Sequence, residues 1–254
     1  MKQWAIWRDR SRTPAAQRGI SLIEIMTALT LSLFLLLGLF GIFDSTRQIY
    51  STQNGLAQLQ ERQRNAIALL SGIIQSAGHF PGTASKLKEA KPEATRGEVF
   101  PASSDSTYAK GASIFGTEVA AGNDSIRVRF QTAGGSNIPN CQGDTNTSAA
   151  DVIYDNLFSI NTSNQLACAV STNGVATGSA TVLVDGISGM DILYGVDPKD
   201  TGSSSKYVTA SAVTDWSKVR SVKIRLTFVN PGKGNPGQPD SVDSTHVIQL
   251  IGNS

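Results

Sequence analysis

The stretch that decides the fold is ISLIEIMTALTLSLFLLLGLFGIF, Ile20 to Phe43. Glu24 is its only charge, and Ile25 to Phe43 carries none. Its 24 residues make a helix ~36 Å long at ~1.5 Å per residue, enough to cross a hydrocarbon core of ~30 Å. Immediately before it, Met1 to Gly19 holds Lys2, Arg8, Arg10, Arg12 and Arg18 against Asp9 alone. That flank is +4, which leaves −2 for Ile20 to Ser254. By the positive-inside rule the cationic flank stays cytoplasmic and the chain from Asp44 onward is exported. A secretory signal peptide has a shorter apolar region, ~7–15 residues, and ends at a small-residue cleavage site. None follows Phe43, so the run reads as a membrane anchor.

A carboxylate in such a helix costs ~2.5–3.5 kcal/mol at the bilayer centre and less near an interface. Glu24 therefore either snorkels to water at the positive end of the helix dipole or meets a dedicated cation. Gly38 and Gly41 also have two readings, close helix packing or a place for the helix to bend.

The whole chain has 254 residues, 40% apolar and 17% charged, with a formal charge of +2. That balance excludes a mostly disordered protein and makes no compositional case for a nucleic-acid partner. Only two His, His79 and His246, and two Cys are present. A nucleophilic enzyme needs a base, usually His, and no G-x-S-x-G, H-E-x-x-H or P-loop pattern occurs. Asp197 to Asp200 and Asp240 to Asp243 hold two carboxylates each but lack the ligand order of a calcium loop. Both read as solvated loop charges. The expectation is a non-enzymatic protein with no cofactor and no metal.

Past Phe43 the pattern turns amphipathic. Ile49, Leu56, Leu59, Ala66, Ile67, Leu70, Ile73, Ile74 and Ala77 share about a third of a helical wheel. The spacing predicts one helix from Ile20 to Gly78: residues 20–43 in the membrane, residues 44–78 as its amphipathic continuation, packed on a head of residues 79–254. Gly82 to Gly122 reads as an irregular loop with one short strand near Val99. After it the period becomes two. Strands are predicted at Ile126 to Phe130, in a hairpin of Val152 to Ile160 and Gln165 to Ser171, and at Thr181 to Val184 and Met190 to Gly195. Two more are expected at Val219 to Val229 and His246 to Ile251, with Asn230 to Ser241 as a mobile loop. The fold class is α+β, a long N-terminal helix against an antiparallel sheet.

Arg18-Gly19-Ile20-Ser21-Leu22-Ile23-Glu24 resembles the processing motif of type IV prepilins. The resemblance implies a pilin-like fold, with residues 1–19 as a leader that prepilin peptidase cuts between Gly19 and Ile20. It also implies N-methylation of Ile20, and contact of Glu24 with the N-terminal ammonium of a neighbouring subunit. Ile20 departs from the Phe commonest at that position. Within the head, Ser76-Ala77-Gly78-His79-Phe80, Leu183-Val184-Asp185-Gly186-Ile187, Tyr194-Gly195-Val196-Asp197 and Trp216 leading into Val219 to Ile224 resemble PilW-type minor pilins. That likeness implies an inner-membrane subunit with a periplasmic head, which primes pilus assembly with other minor pilins at or near the tip. J-type minor pseudopilins of type II secretion share a similar plan and are the alternative.

Cys141 and Cys168 both fall on the exported side, where a disulfide is the expected state. Arg127, Arg129, Lys218, Arg220, Lys223 and Arg225 sketch a basic strip that could touch DNA. Charge on a half-buried sheet is more often its wet face, so nucleic acid is not the expected partner.

Overall fold

The computed structural model describes residues 19–82, 97–103, 107–119, 123–234 and 238–251. The leader reading, apart from Gly19, lies outside them. One helix, α1, runs 54 residues from Leu22–Gln75. The chain divides into two compact units between Tyr50 and Ser51.

In the first unit every described residue is exposed. The helix is long and apolar enough to cross a membrane, and it runs unbroken through Gly38 and Gly41.

In the second unit, Leu59, Ala66, Leu70, Ile73, Ile74 and Ala77 are buried and Ile67 is half-buried. The upper stripe residues Ile49 and Leu56 stay exposed, so burial begins only at Leu59, about three turns after the pattern starts. α1 ends at Gln75, short of Gly78. Tighter bonds follow, Ser76 N to Ile73 O and Ala77 N to Ile74 O, both 3.1 Å. Gly78 then takes φ +75°, open to glycine, and donates to Arg129 O at 3.0 Å.

The strands form two antiparallel sheets where the pattern predicted one. The first holds β1 (Ile114–Thr117), β2 (Ser125–Thr132), β3 (Val152–Ile160), β4 (Gln165–Thr172), β5 (Val175–Ala176) and β6 (Thr181–Asp185). Its order is β1-β2-β3-β4-β5, with β6 also on β4. The second holds β7 (Ile187–Val196), β8 (Lys206–Val208), β9 (Val219–Val229) and β10 (Ser241–Gln249), in the order β10-β9-β7-β8. The chain changes sheets at Gly186, the single residue between β6 and β7, at φ +76°. A period of two says which residues share a face but not which sheet a strand joins, and this is why the division escaped the sequence.

One core joins α1, both sheets and the connecting segments. In β9, Val222, Ile224, Leu226 and Phe228 are fully buried, each worth ~1.5–3 kcal/mol relative to exposure.

Three local expectations change. Residues 97–99 are helical and the strand of that region is β1. The last strand starts at Ser241, because its exposed Ser, Asp and Thr positions mask the alternation. The loop before it is anchored in its described part. Buried Asn230 donates from Nδ2 to Pro239 O at 2.7 Å and accepts from Gly232 N at 2.9 Å.

Candidate functional site

The start of α1 is built by Ser21, whose carbonyl accepts from Glu24 N at 3.0 Å and Ile25 N at 3.3 Å. Glu24 thus sits in the first helical turn, where the macrodipole favours an acid. Ser21-x-x-Glu24 is also the spacing of a capping box, a local signal that reading the stretch only as a membrane run passes over. Among the described residues the Glu24 carboxylate has no ion-pair partner within the chain. Ile20 beside it is 74% exposed.

Three hydroxyls of this segment are satisfied by the helix itself. Thr27 Oγ1 donates to Glu24 O at 3.0 Å, Thr30 Oγ1 to Thr27 O at 2.9 Å and Ser32 Oγ to Ala28 O at 2.6 Å. A hydrocarbon surrounding requires this, since it offers no other acceptor. Among the described residues nothing approaches the space beside Gly38 or Gly41 within 4 Å.

The cations of the expected basic strip are dispersed. Arg129 is buried on sheet one and bonds to the carbonyls of Ala112 at 2.6 Å, Pro101 at 2.9 Å, Ala109 at 3.3 Å and Phe100 at 3.4 Å. Its guanidinium lies 4.2 Å from the Tyr108 ring centroid. Burial pulls the Arg129 pKa down, against the charges of Tyr108 and Asp155. Burial also pushes the Tyr108 phenol well up, helped by Asp155, which accepts its hydroxyl at 2.8 Å.

Arg127 faces Asp155 at 3.7 Å and Arg225 donates Nε to Asp191 at 2.9 Å. Lys218 and Arg220 both reach Asp200, Arg220 at 3.1 Å. Lys223 has no ion pair among the described residues.

Asp197, expected as a solvated charge, is fully buried. It accepts from Gly202 N at 2.7 Å and Thr201 Oγ1 at 3.1 Å, and Arg220 Nε stands 4.0 Å away. Burial alone would raise its carboxyl, but the N–H groups of Thr201, Gly202 and Lys199 with the Thr201 hydroxyl outweigh it, and the pKa falls below the ordinary value. Asp197 therefore organises its own turn. A tight loop that folds its N–H groups onto one carboxylate looks, as a sequence, like any polar loop. Asp243 stays exposed and accepts from Thr227 Oγ1 at 2.8 Å.

Cys141 and Cys168 are disulfide-bonded, with Cα atoms 6.4 Å apart. Cys141 N donates to Asn156 Oδ1 at 2.8 Å, and Gln142 Nε2 donates to Cys168 O at 3.0 Å. The bond fixes the loop after Pro139 to β4, beside β3.

The family model described as Type IV Pilus-assembly protein W matches residues 155–250. That span runs from within β3 to just past β10, so it contains all of the second sheet and excludes α1, β1 and β2. No curated protein matches the chain. The match supports a part in type IV pilus assembly, and it rests on residues separate from the N-terminal motif.

Proposed function

We propose that this chain, whose head is of the type IV pilus-assembly protein W kind over residues 155–250, is a minor pilin that helps to start pilus assembly. The carrying observation is the charge of Glu24. Among the described residues it stands without a cation, on an exposed apolar helix. In a low-dielectric bundle an unpaired carboxylate is costly, and pairing with an ammonium removes the cost. Cleavage between Gly19 and Ile20 would create such an ammonium four residues from Glu24 in sequence. A neighbouring subunit's new N-terminus, methylated on Ile20, then supplies the partner and sets the register between helices.

Prepilin peptidase is the processing enzyme in this reading, and other minor pilins and pilus subunits are the partners. The chain waits in the inner membrane with its head in the periplasm, then joins the pilus at or near its tip. No catalysis is involved. DNA binding draws no support from Arg127, Arg220 and Arg225, which face carboxylates, or from Arg129, which is spent on carbonyls.

The test is to change Glu24 to Ala and follow export, the head disulfide and piliation. Export and the disulfide should be unchanged while piliation fails. Normal piliation would contradict the role of Glu24. Mass spectrometry of the membrane form should find Ile20 as the first residue, and an intact leader in a piliated cell would refute the reading.

A further inference from the structure

We infer that β10 is an open docking edge that takes a β-strand from another pilus subunit by backbone pairing. The inference rests on the minor-pilin reading for the source of the strand, and on the head alone for the chemistry.

β10 closes one side of the second sheet and, among the described residues, pairs only with β9. Asn230 N donates to Asp240 O at 3.0 Å and Leu250 N to Arg220 O at 2.9 Å. Both pairs continue the register that sets Ser241 opposite Val229 and Gln249 opposite Ser221. Antiparallel pairs alternate between those that exchange hydrogen bonds and those that do not. Val242, Ser244, His246 and Ile248 are therefore bonded to β9, while Ser241, Asp243, Thr245, Val247 and Gln249 turn their N–H and C=O outward. These five are exposed, and no backbone bond from another described residue reaches them.

Such an edge is a template for another strand unless the fold blunts it, by shortness, Lys, Pro, a bulge or a cover. The other edges of this head are short: β1 has four residues, β5 two, β6 five and β8 three. β10 has nine, with no Lys or Pro, and its register on β9 is unbroken. An extended segment that adds to it gains main-chain bonds for affinity and alternate side chains for specificity.

In the full-length register the outward side chains count against a second copy. Antiparallel self-pairing centred on Thr245 sets Asp243 of each copy against Val247 of the other, a carboxylate on an apolar group twice. The fitting partner carries an apolar side chain opposite Val247 and a cation or hydroxyl opposite Asp243. A strand of a different subunit can supply both.

The test uses the full chain in a piliated cell, with p-benzoylphenylalanine in place of Val247. Illumination should give an adduct with another pilus subunit, mapped by mass spectrometry to an extended segment. Thr245→Pro deletes one outward N–H and spares every bond to β9, so it should abolish the adduct. Thr245→Ala keeps the N–H and should preserve it. The Cys141–Cys168 bond and protease resistance report whether each variant head is folded.

An adduct with a second copy overturns the inference. So does an adduct that survives Thr245→Pro, or no adduct from a chain that still supports piliation, and in these cases the minor-pilin reading stands. If a strain lacking the chain piliates normally, that reading falls and the inference with it.

Discussion

Arg129 and Arg127 lie on the same strand, two positions apart, and do opposite work. Arg127 is half-exposed against Asp155, whereas Arg129 is buried and holds four carbonyls of the segment Phe100 to Ala112. In the pattern both are polar positions between Ile126, Val128 and Phe130, and only the irregular segment that folds over Arg129 separates them. Changing Arg129 to Met leaves those carbonyls bare, at ~1–3 kcal/mol for each one left without water. Urea unfolding of the head should show a loss of about 3 kcal/mol or more. Arg129→Lys should recover part, because an ammonium lacks the planar fork that reaches several carbonyls. Tyr194 gives the contrary case. It is fully buried, its hydroxyl has no partner among the described residues, and burial pushes its pKa far up. Tyr194→Phe should change stability by less than ~1 kcal/mol at neutral pH, or raise it. A loss of more than ~2 kcal/mol in the same unfolding measurement would mean that the hydroxyl is bonded after all.

At the scale of elements, alternation made β9 legible to the residue, since Val222, Ile224, Leu226 and Phe228 share a fully buried face. The hairpin of β3 and β4 was legible because Asn161 to Asn164 makes a turn between two regular runs, with Asn164 at φ +58°. The split into two sheets was not, because it depends on one glycine reversing direction at Gly186. Nor was β1, four residues between irregular segments, short enough that no period could show. The N-terminal helix, by contrast, was visible as chemistry, since its length and lack of charge leave few alternatives. The disulfide was legible from cysteine count and the expected compartment, but not the network around it. Cys141 and Cys168 close a loop with a sequence separation of 27. On the chain-entropy account, replacing both by Ser should cost roughly 3.5 kcal/mol. Equilibrium unfolding of the double variant checks this, and an unchanged midpoint would show that Asn156 and Gln142 hold the loop unaided.

Across the whole molecule, titration should confine stability to a plateau. Asp197 and Asp200 have pKa values held below the ordinary carboxylate, Asp197 by N–H groups that outweigh its burial and Asp200 by its bond to Lys218. A depressed pKa contributes stability above the unfolded value of ~3.9, lost as pH falls through the lower folded values. Tyr108 and Tyr194 are raised by burial. They contribute stability below the unfolded phenol value of ~10, lost as pH rises beyond it. Thermal midpoints of the head should therefore be flat between about pH 5 and 9 and fall on both sides. Tyr194→Phe should make the alkaline fall shallower, and an identical alkaline limb would refute the assignment.

The self-closed hydroxyls of α1 have a further consequence. Thr27, Thr30 and Ser32 bring their acceptors with them, so under the proposed assembly a move from lipid tails to the side chains of sister helices would swap one greasy medium for another. On that proposal Glu24 is the side chain of this stretch whose company would change most, and the drive to leave the bilayer would fall chiefly on its carboxylate.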